Sequence, residues 1–399
     1  MPKDKPEIRF AGYTDAWEKR KLLDGSEKIG DGLHGTPKYF EKGNVYFVNG
    51  NNFIDGEIKI TKETKHVAET AQSSVDQGLT NNTILMSING TIGNLAYYHG
   101  EKISLGKSAA FITVSDFYKE FIYAYLQTKT VHSYFMNSLT GTTIKNLGLK
   151  ALRETPLSVP VIFEQKKIGR LFKQIDKLIT VNQRKVDLLK ELKKGFLQKM
   201  FPKNEENYPQ IRFAGYTDAW EKRKLGDIGS VAMNKRIFKS ETFDYGDVPF
   251  YKIGTFGKIA DSFITREKFT EYKAKYPFPK NGDVLISASG SIGKTVVYHG
   301  EDAYFQDSNI VWLEHDGQID NKFLEQFYKI VRWSGVEGST IKRLYNKNIL
   351  NTSISIPNLD EQEKIGELLY LFDFLITVNQ RRVDLLKQEK KALLQKMFV

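Results

Sequence analysis

Residues 6–22, PEIRFAGYTDAWEKRKL, return at 209–225 as PQIRFAGYTDAWEKRKL, and a much longer block returns as well. EQKKIGRLFKQIDKLITVNQRKVDLLKELKKGFLQKMF (164–201) reappears as EQEKIGELLYLFDFLITVNQRRVDLLKQEKKALLQKMF (361–398), identical at 26 of 38 positions. The stretches between these blocks are of similar length but largely different sequence. A doubled frame around unlike inserts describes one scaffold that presents two different readers.

At 399 residues the chain has room for two or three domains with real cores. Its 40% hydrophobic and 13% aromatic content is that of a folded protein. Cysteine is absent, which excludes disulfides and thiolate metal sites and suits a reducing compartment. The first residues lack the apolar core of a signal peptide. No stretch reaches the ~20 apolar residues a membrane helix needs. The expectation is a cytoplasmic, bacterial protein.

Net charge is +11, and +7 of it falls on 164–201, where 11 Lys/Arg meet 4 Asp/Glu. Such a surplus suits a polyanion or an acidic partner; a solvated basic helix face is the plainer alternative.

Block 164–201 has no proline and a seven-residue apolar period. Ile168, Ile175, Asn182, Leu189 and Phe196 form one row, with Phe172, Ile179, Val186 and Met200 beside it, interrupted by Lys193. The second copy repeats the pattern with Asn379 in the middle and the interruption at Lys390. This is a coiled-coil seam. Laid antiparallel, the two helices would bring Asn182 and Asn379 face to face as a register pair. The alternative is two Asn on a solvent-facing flank. Pro160 and Pro357 mark the helix entries.

The inserts read as mixed strand and helix, with strands at 45–48, 83–88, 95–98 and 110–114 and helices at 117–136 and 321–333. The fold class is therefore α+β: two mixed recognition domains separated by two long antiparallel coiled-coil helices, in a pseudo-twofold internal repeat. The expected segments are 1–160 and 204–357 for the domains, and 161–203 and 358–399 for the helices. Turn-rich segments such as HGTPKYFEKGNVYFVNGNN and NKRIFKSETFDYGDVPFYKIGTFGK mix basic, amide and aromatic residues. That is the vocabulary of phosphate and base-edge contacts, and also of ordinary surface loops.

Taken together, the chain resembles the specificity subunit of a type I DNA restriction–modification system. The residues that carry this are RFAGYTDAWEKRKL (9–22 and 212–225), the SxxGxIG turns (87–93 and 287–293), YFQDSNIVWL (304–313), and EQxKIG with LITVNQR in both helices. The resemblance covers essentially the whole chain. It implies two target-recognition domains, each reading half of a bipartite site in double-stranded DNA, with the helices as spacer and docking post. It also implies two modification subunits, which bind S-adenosylmethionine and methylate adenine. Two restriction subunits using ATP and Mg would be added for cleavage. No cofactor or metal is expected on this chain itself.

The DNA contacts expected in the first domain are Lys38, Tyr39, Asn51, Lys107, Ser108 and Lys145. In the second they are Lys235, Arg236, Lys252, Lys258, Gln306, Ser308, Asn309, Lys342 and Arg343. Asn and Gln bridge adenine edges, while Arg and Lys reach guanine or phosphate.

Catalytic signatures are missing. ASGSIGKT (288–295) is one glycine short of a phosphate loop, and TVVYHG after it reads as a strand where such a loop needs a helix. The six histidines show no ligand spacing. No cofactor-binding glycine fingerprint, adenine-gripping motif or nuclease carboxylate cluster is present. The chain is expected to be a non-catalytic subunit. The rival readings are a stand-alone sequence-specific DNA-binding protein, which has no need of two such helices, and a scaffold whose inserts bind proteins.

Overall fold

The computed structural model describes residues 5–69, 76, 78–142, 145–203, 206–333, 335 and 343–399. Its contacts divide the chain into two units: Met1–Arg184 with Asn379–Val399, and Lys185–Val378. Each unit holds one of the two mixed α/β domains and part of both long helices.

In unit one, strands β1 (Glu18–Lys21) and β2 (Ser26–Asp31) lead into β3 (Tyr39–Phe40), β4 (Val45–Val48), β5 (Phe53–Ile54), β6 (Glu57–Ile58) and β7 (His66–Val67). Next come β8 (Thr83–Ser87), β9 (Leu95–Tyr97), β10 (Ile103–Leu105) and β11 (Ala109–Val114). Helices α1 (Lys119–Tyr125) and α2 (Lys129–Asn137) follow, then β12 (Leu139–Thr140), β13 (Asn146–Leu147), α3 (Leu149–Arg153) and β14 (Pro156–Val159). The main sheet runs β2-β11-β8-β9 and a second runs β10-β4-β7-β3.

Strands β8 and β11 are buried at every position because both faces of their sheet are covered. Alternate residues enter different cores. Ile84, Met86, Ala110 and Ile112 join Phe121 and Phe172 on the helical side. Leu85, Ala109 and Phe111 meet Val48 and Leu105 of the second sheet.

Unit two repeats the plan with β15 (Glu221–Lys224), α5 (Leu225–Ile228), β16 (Gly229–Ala232), β17 (Val248–Tyr251), β18 (Phe263–Ile264) and α6 (Arg266–Lys275). Then come β19 (Val284–Ser287), β20 (Thr295–Val297), β21 (Tyr304–Phe305), β22 (Ile310–His315), α7 (Asn321–Ile330), α8 (Asn346–Leu350) and β23 (Ser353–Ile356). Its sheets run β16-β22-β19-β20 and β18-β17-β21.

The repeated segments are the clasp that closes each domain. Strand β1 pairs antiparallel with β14, Glu18 opposite Val159 and Lys21 opposite Pro156, and the Leu22 amide donates to the Thr155 carbonyl at 3.0 Å. In unit two β15 pairs with β23, and Leu225 donates to Thr352 at 3.0 Å. The RFAGYTDAW segments lock this clasp to the helices. Arg9 makes a bidentate pair with the fully buried Glu164 at 2.7 and 2.8 Å, and Arg212 pairs with Glu361 at the same two distances. Trp17 packs edge-on against Phe398, and Trp220 against Phe201.

The long helices are α4 (Ile162–Lys199) and α9 (Leu359–Lys396), each starting within two residues of its proline. The EQ dipeptide has a local task. Gln165 donates to the Pro160 carbonyl at 2.8 Å and accepts from the Tyr118 amide at 3.0 Å; Gln362 does the same with Pro357 and Asp320.

Within unit one the Phe172 ring lies tilted against Phe398 and Asp176 bonds Lys390, so the start of α4 runs beside the end of α9 and antiparallel to it. Within unit two Phe196 meets Phe372 and Lys193 bonds Asp373, again antiparallel. The two lysines read as seam interruptions are therefore ion-pair donors to the facing helix. Asn182 and Asn379 are both buried, and the Asn182 amide donates to the Leu178 carbonyl of its own helix at 2.7 Å. Extending the unit-one register places Asn182 level with residues 384–388, roughly two turns beyond Asn379, so the two side chains are not opposite one another.

The single helix expected at 117–136 is two helices. Thr128 breaks it, taking an extended backbone and accepting from the Val131 amide as an N-cap. The helix expected at 321–333 ends at Ile330. Among the described residues no helix is long and apolar enough to cross a membrane.

Candidate nucleic-acid interface

In the first domain four loops are sewn together where the two sheets meet. The Gly106 amide donates to the Val48 carbonyl, Ile88 to Ser108 and Leu147 to Ile88, all at 2.9 Å, and an isolated bridge joins Asn89 to Asn146. This gathers the turn after β4, the β8–β9 turn, the β10–β11 link and the segment before β13. Asn51, Lys107, Ser108 and Lys145 lie on those loops, and Asn51, Lys107 and Lys145 are exposed.

Ser108 serves the scaffold. Its hydroxyl donates to the Asn49 side chain at 2.9 Å and accepts from the Gly50 amide at 3.0 Å. Lys38 and Tyr39 stand apart, exposed on or beside β3, the outermost strand of the second sheet. The Lys38 ammonium lies over the Phe40 ring at 5.6 Å.

The second domain uses the same stitching with different threads. Gln306 donates its amide to the Tyr251 carbonyl at 2.9 Å, and its side-chain oxygen accepts from the Ile253 amide at 3.1 Å. That oxygen is therefore engaged internally, and the Nε2 amide is the part left for a ligand. Asn309 accepts from the Ser289 hydroxyl at 2.7 Å, while Ser289 bridges Arg343. Ser308 between them has φ +51°, in the left-handed region, which fixes a sharp turn.

Arg236 pairs with Asp307 at 2.8 Å. Lys252 pairs with Asp261 at 2.9 Å and holds that carboxyl below its ordinary range. Lys235 lies over the Tyr276 ring at 5.3 Å. Lys258 and Arg343 are exposed. Lys342 lies outside the described residues.

The SxxGxIG turns owe their spelling to the first serine. The Ser87 hydroxyl donates to the Thr91 carbonyl and accepts from the Asn94 amide, and Ser287 does the same with Ser291 and Lys294. Gly93 and Gly293 follow with positive φ. Strand β20 comes next, so the helix start that a nucleotide-binding loop needs is not built here. Lys294 donates to the Phe256 carbonyl. The YHG turns are likewise structural, the His99 and His299 amides donating to Glu101 and Glu301.

Residue-by-residue reading passed over Ile259. It is 91% exposed on a turn pinned by buried Phe256 and by the Lys252–Asp261 pair, beside Lys258. The positive φ of Gly257 allows that turn, and the FGKIA spelling carried the signal.

The comparisons with known proteins agree with this doubled architecture. The model of the type I restriction modification DNA specificity domain matches twice, at 15–191 and 217–388. A Haemophilus influenzae protein named as a type I restriction enzyme specificity subunit is 36% identical over 370 residues, covering 89% of this chain and 90% of its own. The MjaIX specificity subunit of Methanocaldococcus jannaschii is 25% identical, covering 96% and 92%. The crystal structure of the S subunit from M. genitalium superposes with a TM-score of 0.69 at 18% identity, covering 99% of both chains, and so shares the fold. With two family domains in tandem and a relative that matches along most of its length, this chain belongs to the type I restriction–modification DNA specificity subunits.

Proposed function

We infer that the chain supplies DNA sequence choice to a type I restriction–modification complex, each domain reading one half of a bipartite, asymmetric site. One observation carries this reading. The two domains knit the same four loops with the same backbone bonds, yet the side chains differ, Asn49, Gly50 and Ser108 in one and Lys252, Ile253 and Gln306 in the other. A common scaffold with unlike faces is what two half-sites of different sequence require.

On this reading the chain performs no chemistry. S-adenosylmethionine binds the two modification subunits, which methylate adenine, and ATP and Mg bind the two restriction subunits. The complex works in the cytoplasm. The helices act as spacer and as docking post, one modification subunit on each side, using apolar side chains off the seam such as Leu178, Leu192 and Leu375, whereas Leu171 and Leu368 pack against the cores of their own domains.

The test is methylome sequencing of a strain that expresses this chain with its modification subunit. Exchanging residues 23–154 for the insert of a relative should change one half of the methylated site and leave the other intact. A stand-alone DNA-binding protein would instead bind its site tightly without any modification subunit. A final complex with one modification subunit per chain would count against the two-sided docking.

A further inference from the structure

The heptad that lines the seam also places a second apolar row on the flank of each long helix. In unit one this row carries Leu178, Val181 and Leu385, each about half exposed. In unit two the corresponding residues are partly buried Leu375 and exposed Val378 and Leu188, joined by exposed Leu192 and Leu371. Those two leucines stand where unit one has Gln174 and Glu389, both exposed. A third difference runs the same way, exposed Phe374 in unit two against exposed Lys177 in unit one.

Unit two also has a groove of about 320 Å³ along this row, lined by Leu188, Leu192, Gly195, Phe196 and Ile211, with Glu191 and Lys199 at its edges. Alanine occupies the place of Gly195 in the other copy, at Ala392. Cations are matched between the rows, exposed Lys185 and Lys199 in unit two and exposed Arg382 and Lys396 in unit one.

We propose that both rows receive the same occupant, an amphipathic helix with acidic flanks from the modification subunit, and that the row of unit two binds it first and more tightly. This rests on the proposed function. The shared spacing and matched cations select one kind of partner, an apolar stripe edged by carboxylates. The two leucines, the phenylalanine and the groove give unit two the broader apolar face, edged by Lys185, Glu191 and Lys199. Two identical partners on unequal faces load in order.

The full-length chain is titrated with purified modification subunit, with calorimetry for the affinities and native mass spectrometry for the species. Two steps are expected, the second weaker by at least about tenfold beyond the statistical ratio of two equal sites. The double variant Gln174→Leu/Glu389→Leu should strengthen the weak step by at least about tenfold and bring the steps together. Leu371→Gln/Leu192→Glu should weaken the first step and leave the second. Equal intrinsic affinities in the natural chain would overturn the proposal, as would a weak step unmoved by the first double variant. A modification subunit that fails to bind at all would overturn the proposed function instead.

Discussion

Lys193, in the seam of α4, donates to Asp373 of α9 at 2.5 Å, and the equivalent Lys390 donates to Asp176 at 2.6 Å. The two pairs differ in their surroundings. Lys329 of α7 reaches Asp373 at 2.9 Å, and Gln326 also approaches it. In unit one Gln127 accepts from Lys390, and the second oxygen of Asp176 is buried with no hydrogen-bond partner. Burial pushes both carboxyls up. Two ammonium groups outweigh it at Asp373, whose pKa ends below the usual range, while Lys390 alone leaves Asp176 above it.

The signs of the pH effects are therefore opposite. Asp373 contributes stability that is present above the unfolded carboxylate value of about 3.9 and lost as pH falls through its lower folded value. Asp176, raised in the fold, gains stability as pH falls through its folded value toward about 3.9. Hydrogen exchange across this range should show α7 loosening in acid while α1 does not. Equal behaviour of the two helices would refute the assignment.

Lys193→Ala removes one of the two cations from Asp373 and should cost about 1–2 kcal/mol, since the carboxyl remains partly solvated. Urea denaturation measures it. Lys193→Arg should recover part of the loss, whereas Lys193→Met should not if charge is what matters.

Arg9→Ala or Arg212→Ala leaves a fully buried glutamate without its bidentate partner. Each should cost about 3–5 kcal/mol, far more than an exposed ion pair such as Lys275–Glu271. A change in melting temperature no larger than that of Lys275→Ala would show these pairs to be incidental.

At the reading loops, Gln306→Ala should alter one half-site only, because it frees the Ile253 loop and removes an amide donor. Lys145→Ala, on an exposed loop, should weaken binding on every DNA sequence alike and lower the salt slope by about 1. Binding isotherms on matched and mismatched duplexes separate the two roles.

If the helices set the distance between half-sites, four residues inserted at equivalent points in both would lengthen each by about 6 Å. At about 3.4 Å per base step, the untouched spacer should grow by one or two base pairs. Methylome sequencing reads this directly, and altered half-site letters with an unchanged spacer would rule the helices out as the ruler.

Much of the architecture was legible because it is written twice. The heptads, the paired prolines and the repeated frame located both helix starts to within one residue of the expected 161 and 358, and their ends to within four of 203 and 399. The break at Thr128 was hidden, since the apolar pattern of 117–136 continues across a capping residue that a helix also tolerates. The seam lysines looked like defects because their partners lie far away in sequence, Lys193 opposite Asp373. The residues expected to contact DNA were harder still. A loop Gln or Ser has the same spelling whether it faces solvent or braces its own backbone, and Gln306 and Ser108 do the latter with at least part of their side chains.

The β1–β14 and β15–β23 clasps have a consequence for inheritance. Each insert leaves the frame at one strand and returns at its hydrogen-bonded neighbour, so its two ends meet at a single place. Foreign sequence of another length can be spliced between those points without moving the helices or the Arg–Glu locks beneath them. If each insert reads one half-site and the helices hold the partners, as proposed, a lineage carrying this gene acquires a new target in one recombination event with its partners unchanged.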